Sequence, residues 1–256
     1  MQKRKSASWI GLFAAAALFV SVSAAAEGLG KNKNLVTQST TYDLASSTEG
    51  IGANQQAAVS KAADLVQQER YDEAGKILDG VLSRFAKLMR DSNAKYVAFR
   101  SDEDFKQYEA AFNTGQGGKV KIMRVHDSFT QALQLKAYIA SSLQKWDVAI
   151  DYLDKKIAYA PFEAQPHLEK GYVLNASGKP ADGLESYKLA YELTVKHNAA
   201  PQEQAAALRG MGSTLIELGR LDEAEDAYNK SLEIEPGNRI ALGELEYIAK
   251  LRAQGR

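Results

Sequence analysis

The chain has 256 residues, 32 basic and 32 acidic, with 45% hydrophobic residues and no cysteine. Balanced charge argues against nucleic-acid binding, which needs a concentrated basic face. The missing thiols exclude disulfides, thiolate metal sites, cysteine nucleophiles and lipid attached to cysteine.

The N-terminus has the layout of a secretory signal. Lys3, Arg4 and Lys5 precede an apolar run from Trp9 to Val20, and the small residues Ala24 and Ala26 precede Glu27. Positive charge orients, the apolar core inserts, and small residues fit the peptidase. The apolar core is short for a membrane anchor. Residues 1–26 are therefore expected to be cleaved after Ala26 or Ala24. That places the mature chain in the periplasm or outside the cell, with no integral membrane span. Losing three positive charges leaves a small acidic excess. An uncleaved, membrane-tethered form is the alternative. Residues 27–52, rich in Gly, Ser, Thr and Asn, read as a mobile lead-in.

From residue 53 one pattern recurs. Its first copy is Ala58, Lys61, Ala62, Leu65, Ala74 and Leu78. The second is Leu133, Lys136, Ala137, Ala140, Ala149, Leu153 and Pro161. The third is His167, Lys170, Gly171, Leu174, Gly183 and Tyr187. The fourth is Leu208, Met211, Gly212, Leu215, Ala224, Tyr228 and Pro236. Spacing inside each copy is identical. The step from Ala149 to Gly183 is one repeat length. The step from Gly183 to Ala224 is longer by about two helical turns, and that from Ala74 to Ala149 leaves room for an insertion. Positions i, i+3, i+4 and i+7 form one helical stripe. Small residues let two helices approach, and the large residue four later fills the wider end. Pro161 and Pro236 end the second helices, because proline cannot continue the hydrogen-bond ladder. No such unit buries its stripe alone; each needs a neighbour. The expected units are 53–89, 127–161, 162–200 and 201–237. Residues 238–256 read as a capping helix, with Ile240, Leu242, Leu245, Ile248, Ala249 and Leu251 on one side.

Residues 90–126 interrupt the pattern and are too long for an ordinary loop. Lys95–Arg100 is aromatic and β-branched, hence strand-like. Ser101–Phe112 opens with a capping-box pattern and reads as a helix. A Gly-rich "TGQGG" breaks it, and Lys119–Val125 alternates as a second strand. The stretch between the strands is long enough for a crossover, so parallel pairing is allowed.

The spacing, together with "LGRLDEA" and "EIEPGN" in the last copy, resembles the tetratricopeptide repeat (TPR) family, built on a 34-residue helix–turn–helix unit. The resemblance covers Gln55–Met89 and Ser128–Arg252. Lys61, Lys136 and Lys170 depart from it, standing where the family prefers Leu, and the first copy lacks the closing proline. The fold implied is an all-α TPR solenoid of about four repeats, with a C-terminal capping helix and a small strand–helix–strand insertion.

The resemblance also implies a concave groove, lined by the first helices, that takes a protein or peptide partner. Its outward positions are Gln131, Gln134 and Tyr138 in the second repeat. In the third they are Gln165, Tyr172 and Asn175, and in the fourth Arg209 and Ser213. Exposed Tyr and Arg are enriched at interfaces, offering large contact area with a polar handle. One subset of the family clamps a C-terminal carboxylate with Lys and Asn. The equivalent outward positions of the first repeat are Val59 and Ala63, so that clamp is not expected.

Catalytic signals are weak. His126, Asp127 and Ser128 include the residue types of a hydrolase triad, but adjacent side chains cannot converge as one. Asp127 or Ser128 reads instead as a helix N-cap. "TGQGGK" lacks both the leading Gly and the following Ser or Thr of a phosphate loop; Asn113 and Val120 stand there. His126, His167 and His197 share no ligand spacing, and His167 takes a core position. Acidic pairs at Asp102–Asp104 and Asp222/Glu223 lie at helix starts, where the helix dipole favours them. The reading is a non-catalytic exported TPR scaffold of the cell envelope, with no metal and no cofactor. An enzyme with its site in the insertion is the rival.

Overall fold

The computed structural model describes residues 50–99, 102–113, 120–197 and 199–255. The signal at 1–26, the lead-in to residue 49, Arg100, Ser101 and the Gly-rich segment 114–119 lie outside the described residues. All described residues fall in the unit Ser46–Arg256.

Four helix pairs follow in order. They are α1 (Gln56–Gln67) with α2 (Tyr71–Leu88), α4 (Asp127–Ser142) with α5 (Trp146–Tyr159), α6 (Gln165–Ala176) with α7 (Pro180–Lys196), and α8 (Pro201–Glu217) with α9 (Leu221–Ile234). Helix α10 (Arg239–Ala253) closes the array. Between the first two pairs lie β1 (Ala94–Val97), α3 (Asp102–Phe112) and β2 (Lys121–Arg124). The all-α solenoid with a small strand–helix–strand insertion is thus the observed fold.

Each pair turns in the same way. Glu69, Gln144, Gly178 and Gly219 hold positive φ at equivalent positions. The next residue donates its N–H back to the first helix: Arg70 to Leu65, Lys145 to Ala140, Lys179 to Leu174 and Arg220 to Leu215. This is a left-handed C-cap, which glycine adopts without steric cost. The copies with Glu and Gln tolerate that conformation because the same bonds and packing hold them there.

The small residues sit at the close approaches. Ala62, Ala74, Ala137, Ala149, Gly171, Gly183, Gly212 and Ala224 are all buried. A Cβ placed on Gly212 would stand 2.7 Å from the Tyr228 ring, and one on Gly171 2.9 Å from Tyr187. Both distances are clashes, so the large residue of the second helix dictates glycine on the first. Replacing Ala224 by Leu is expected to cost about 1–3 kcal/mol by overpacking. Ala206→Leu, at a half-buried position between fully buried Ala205 and Ala207, should cost far less. Thermal melts of the two variants compare them, and equal losses would show the register to be wrong.

Two of the three lysines that stand where the tetratricopeptide pattern prefers Leu, Lys136 and Lys170, form ion pairs between repeats. Lys136 Nζ lies 2.6 Å from Asp79 of α2, and Lys170 Nζ lies 2.5 Å from Asp154 of α5. Each lysine stem covers apolar surface while its ammonium reaches the preceding helix.

The strands pair in parallel, Ala94 opposite Lys121 through Val97 opposite Arg124. Ile51 bridges to Val125, also in parallel, so the end of the segment expected to be mobile is tied to the sheet. The insertion has its own core of Val97, Tyr108 and Ile122, joined by Phe99, Phe105, Phe112 and Phe162. Phe162 stacks on both Tyr108, at 4.6 Å, and His197, at 4.8 Å. His197 Nδ1 meets Gln107 Oε1 at 2.7 Å, and Ala98 N–H donates to Tyr159 O at 2.8 Å. His197 follows α7, whose 17 residues, with the 17 of α8, accommodate the longer interval between Gly183 and Ala224. The lengthened helix therefore ends where the insertion docks.

Three local expectations need correction. The N-cap of α4 is His126, not Asp127 or Ser128: its Nδ1 accepts from Ser128 N–H at 3.1 Å. On α10, Leu242 is 45% exposed and Ala249 is also exposed, whereas Ala241, Ile248 and Leu251 are buried and Leu245 packs beside them. Helix α10 has no second-helix partner among the described residues, so only the stripe facing α9 is covered. Val59 is 2% exposed rather than outward-facing, because α1 packs against both α2 and α4.

Candidate protein-docking face

The first helices form one continuous face, stitched together by polar side chains. Gln56 Nε2 donates to Gln131 Oε1 at 3.1 Å, joining α1 to α4. Gln134 of α4 donates to Glu169 of α6. Asn175 Nδ2 of α6 donates to Thr214 Oγ1 of α8 at 2.5 Å. These amides fix how successive first helices sit beside one another.

A half-buried polar ring on the same helices is centred on one buried cation. Lys156, on α5, is 7% exposed. Its Nζ donates to Gln134 Oε1 at 2.9 Å and to Gln165 Oε1 at 2.5 Å, with Glu163 Oε2 at 3.6 Å. The same two amides turn their Nε2 groups to the two carboxylate oxygens of Glu169. Lys156 and Glu169 are thus linked through two parallel glutamines. Burial pushes the Glu169 carboxyl above its ordinary pKa, opposed by the charge of Lys156 and the bond from Gln134. Each polar group of the ring has a partner, as a network around a buried cation requires.

The structure sorts the expected groove residues. Gln131, Tyr138, Tyr172, Asn175 and Ser213 are half-buried and lie on the first helices. Burial raises the hydroxyl pKa of Tyr138 and Tyr172, keeping both as neutral donors. Tyr172 also packs against the core of Ala137, Ala140, Ala149, Leu153 and Val173. Gln134 and Gln165 are committed to the Lys156–Glu169 ring, and Asn175 turns inward, with its Nδ2 on buried Thr214 and its Oδ1 shut off from solvent. Arg209 is not exposed: it is 9% accessible and ion-paired with Glu235. Its position equals that of Gln134, and both point inward towards the second helix.

Lys156, Glu169 and Glu235 escaped sequence reading. The available signal was register: Lys156 occupies the slot held by Ala190 and Ser231 in the next two repeats, both fully buried. A lysine in a small-residue core slot demands an acceptor nearby.

The His–Asp–Ser stretch offers no nucleophile. Ser128 is fully buried, with its Oγ 3.0 Å from His126 Nδ1 and 3.4 Å from Gly52 O, so the contact is part of the helix cap. Among the described residues no cluster of His, Asp or Glu could hold a metal ion, and no helix is long and apolar enough to cross a membrane.

Paired helices with small residues at the close approaches, a large residue four positions later and a polar first-helix face define a helix–turn–helix repeat solenoid. Residues 162–235 match the tetratricopeptide repeat family, which covers the third and fourth helix pairs. Among solved structures, PilW, a type IV pilus biogenesis factor, is similar over 78% of this chain and 70% of its own, at 16% identity and a TM-score of 0.54. The first TPR of Spaghetti (RPAP3), bound to the HSP90 peptide SRMEEVD, aligns with 48% of this chain and 93% of its own, at 25% identity and a TM-score of 0.43. The first TPR domain of human RPAP3 aligns with 49% and 93%, at 25% identity and a TM-score of 0.44. No curated protein matches the chain.

Proposed function

We propose that this chain is a non-catalytic scaffold of the cell envelope that docks a protein or peptide segment on the face formed by α4, α6 and α8. The observation that carries this is the run of half-buried polar and aromatic side chains, Gln131, Tyr138, Tyr172 and Ser213, along successive first helices. The Lys156–Glu169 ring holds that surface in register. Rigid, pre-positioned polar and aromatic groups lower the ordering cost of binding. Export rests on the basic start, apolar core and small-residue site at residues 1–26.

The test uses Gln131→Ala with Tyr138→Ala, leaving the ring and the Tyr172 core contacts intact. Crosslinking pull-down from the native envelope is compared with a thermal melt. Loss of a specific crosslinked partner with the melting temperature nearly unchanged supports the face. An unchanged partner profile rejects it. Intact mass of the exported protein tests the export step: a chain retaining Trp9 would show that the signal is not cleaved.

A further inference from the structure

We propose a second docking surface at the α1–α2 end of the array, which takes an acidic amphipathic helix of a partner protein. The lysine position shared by the first three repeats leads there. Lys136 and Lys170 stand at equivalent places and each pairs with an aspartate on the second helix of the preceding repeat, Asp79 and Asp154. Those aspartates are themselves equivalent, in the same register after Ala74 and Ala149, and Lys61 is in turn equivalent to Lys136. Covered by the preceding helix, the Lys136 and Lys170 side chains are only 15% and 26% exposed. Lys61 has the same register but is exposed, and among the described residues no α-helix precedes its own.

The clefts beside these lysines correspond residue by residue. At the junction of the second and third repeats the cleft is lined by Lys170, Leu174, Lys179, Asp182, Glu185 and Ser186, and the preceding helix α5 closes it with Asp147 and Ile150. At the α1–α2 end the equivalent positions, Lys61, Leu65, Arg70, Glu73, Lys76 and Ile77, line a cleft of their own, with no third helix against it among the described residues. The end face is therefore the receptor half of a junction whose closed form, with α5 as the donor helix, is visible inside the molecule.

Charge sets the chemistry of the helix that would complete this junction. Arg70 and Glu73 neutralise each other through two 2.8 Å contacts. Lys61 and Lys76 remain, so the cleft is positive. The complement is a helix with an apolar residue and an aspartate four positions later, as Ile150 and Asp154 are placed on α5. The chain's own last repeat cannot supply it to another copy: the position equivalent to Asp154 is Asn229. Complementary charge fixes register and steers encounter.

The probe is a peptide of residues 146–160, carrying Ile150 and Asp154, titrated into the full-length chain and followed by amide chemical shifts. Saturable shifts confined to α1 and α2 are expected. Lys61→Asp in the protein, or Asp154→Lys in the peptide, should each weaken binding about tenfold, since attraction is replaced by repulsion. Combining the two changes should restore most of the affinity. Lys61 is exposed, so an unchanged melt confirms that the variant is folded. Absence of binding, shifts elsewhere, or indifference to both charge reversals overturns the proposal. So does self-association abolished by Lys61→Asp, which would assign the face to a second copy. Nuclear Overhauser contacts from α1 to residues before Gly50 would assign it to the chain's own N-terminal segment, with the same consequence.

Discussion

Tyr228→Ala is expected to destabilise the protein by about 3–5 kcal/mol, the range for truncating a large buried aromatic side chain. Tyr228 has no exposed surface and rests on Gly212, where no Cβ fits. It shares a core with Leu184, Leu215, Ala224, Ala227, Ala241 and Ile248, so it joins the third and fourth repeats and the cap. Because glycine already occupies the facing position, no side chain there can expand into the vacated volume. The loss should appear first as faster hydrogen exchange in α8, α9 and α10, since repeat arrays lose stability locally. Leu242→Ala, at an exposed position of α10, should change stability by at most about 0.5 kcal/mol. A cost at Tyr228 as small as that would mean that the last repeat is not packed as described.

Lys156→Met is expected to cost about 1–3 kcal/mol, because it removes the buried cation that Gln134, Gln165 and Glu169 are arranged around. Glu169 would keep its two amide donors but lose the cation that offsets its burial, and Gln134 and Gln165 would each lose a donor. Replacing both charged residues, Lys156→Met with Glu169→Gln, should recover a large part of the loss; additive losses would rule out coupling through the glutamines. The pH dependence has a definite sign. The folded-state pKa of Glu169 lies above its unfolded value, with burial as the leading cause. Between those two values the folded protein binds more protons than the unfolded chain, so this group's contribution to stability falls as pH rises through that window. Above the window the penalty is constant. Wild type should therefore gain stability from this group on acidification from neutral pH, and Glu169→Gln should not. The cost of Lys156→Met should also shrink at lower pH, as Glu169 takes up a proton. Denaturation midpoints of the three variants across pH test both statements.

The periodicity made the helical array legible without any contact information. A stripe at i, i+3, i+4 and i+7, small residues at the two approaches and a large residue four later require two helices that bury one face together, whatever surrounds them. The same logic marked the insertion, since β-branched and aromatic runs fit neither helix of the unit. Local pattern does not say which of two equivalent-looking outward positions meets solvent, because that depends on a neighbour from another helix, distant in sequence. Hence Arg209, which looks like an exposed anchor, turns in to Glu235, and Gln134 and Gln165 close a ring with Lys156 and Glu169. Likewise the longer third interval carries no meaning by itself. Only when α7 reaches His197 beside Phe162 and Gln107 does the added length coincide with the platform for the insertion. Sequence by itself determined the repeat, its register and its close packing, because these follow from steric fit between residues a few positions apart. Tertiary structure alone decided which polar groups face a partner and which face one another, because a buried charge takes its partner from whichever helix the stacking brings alongside.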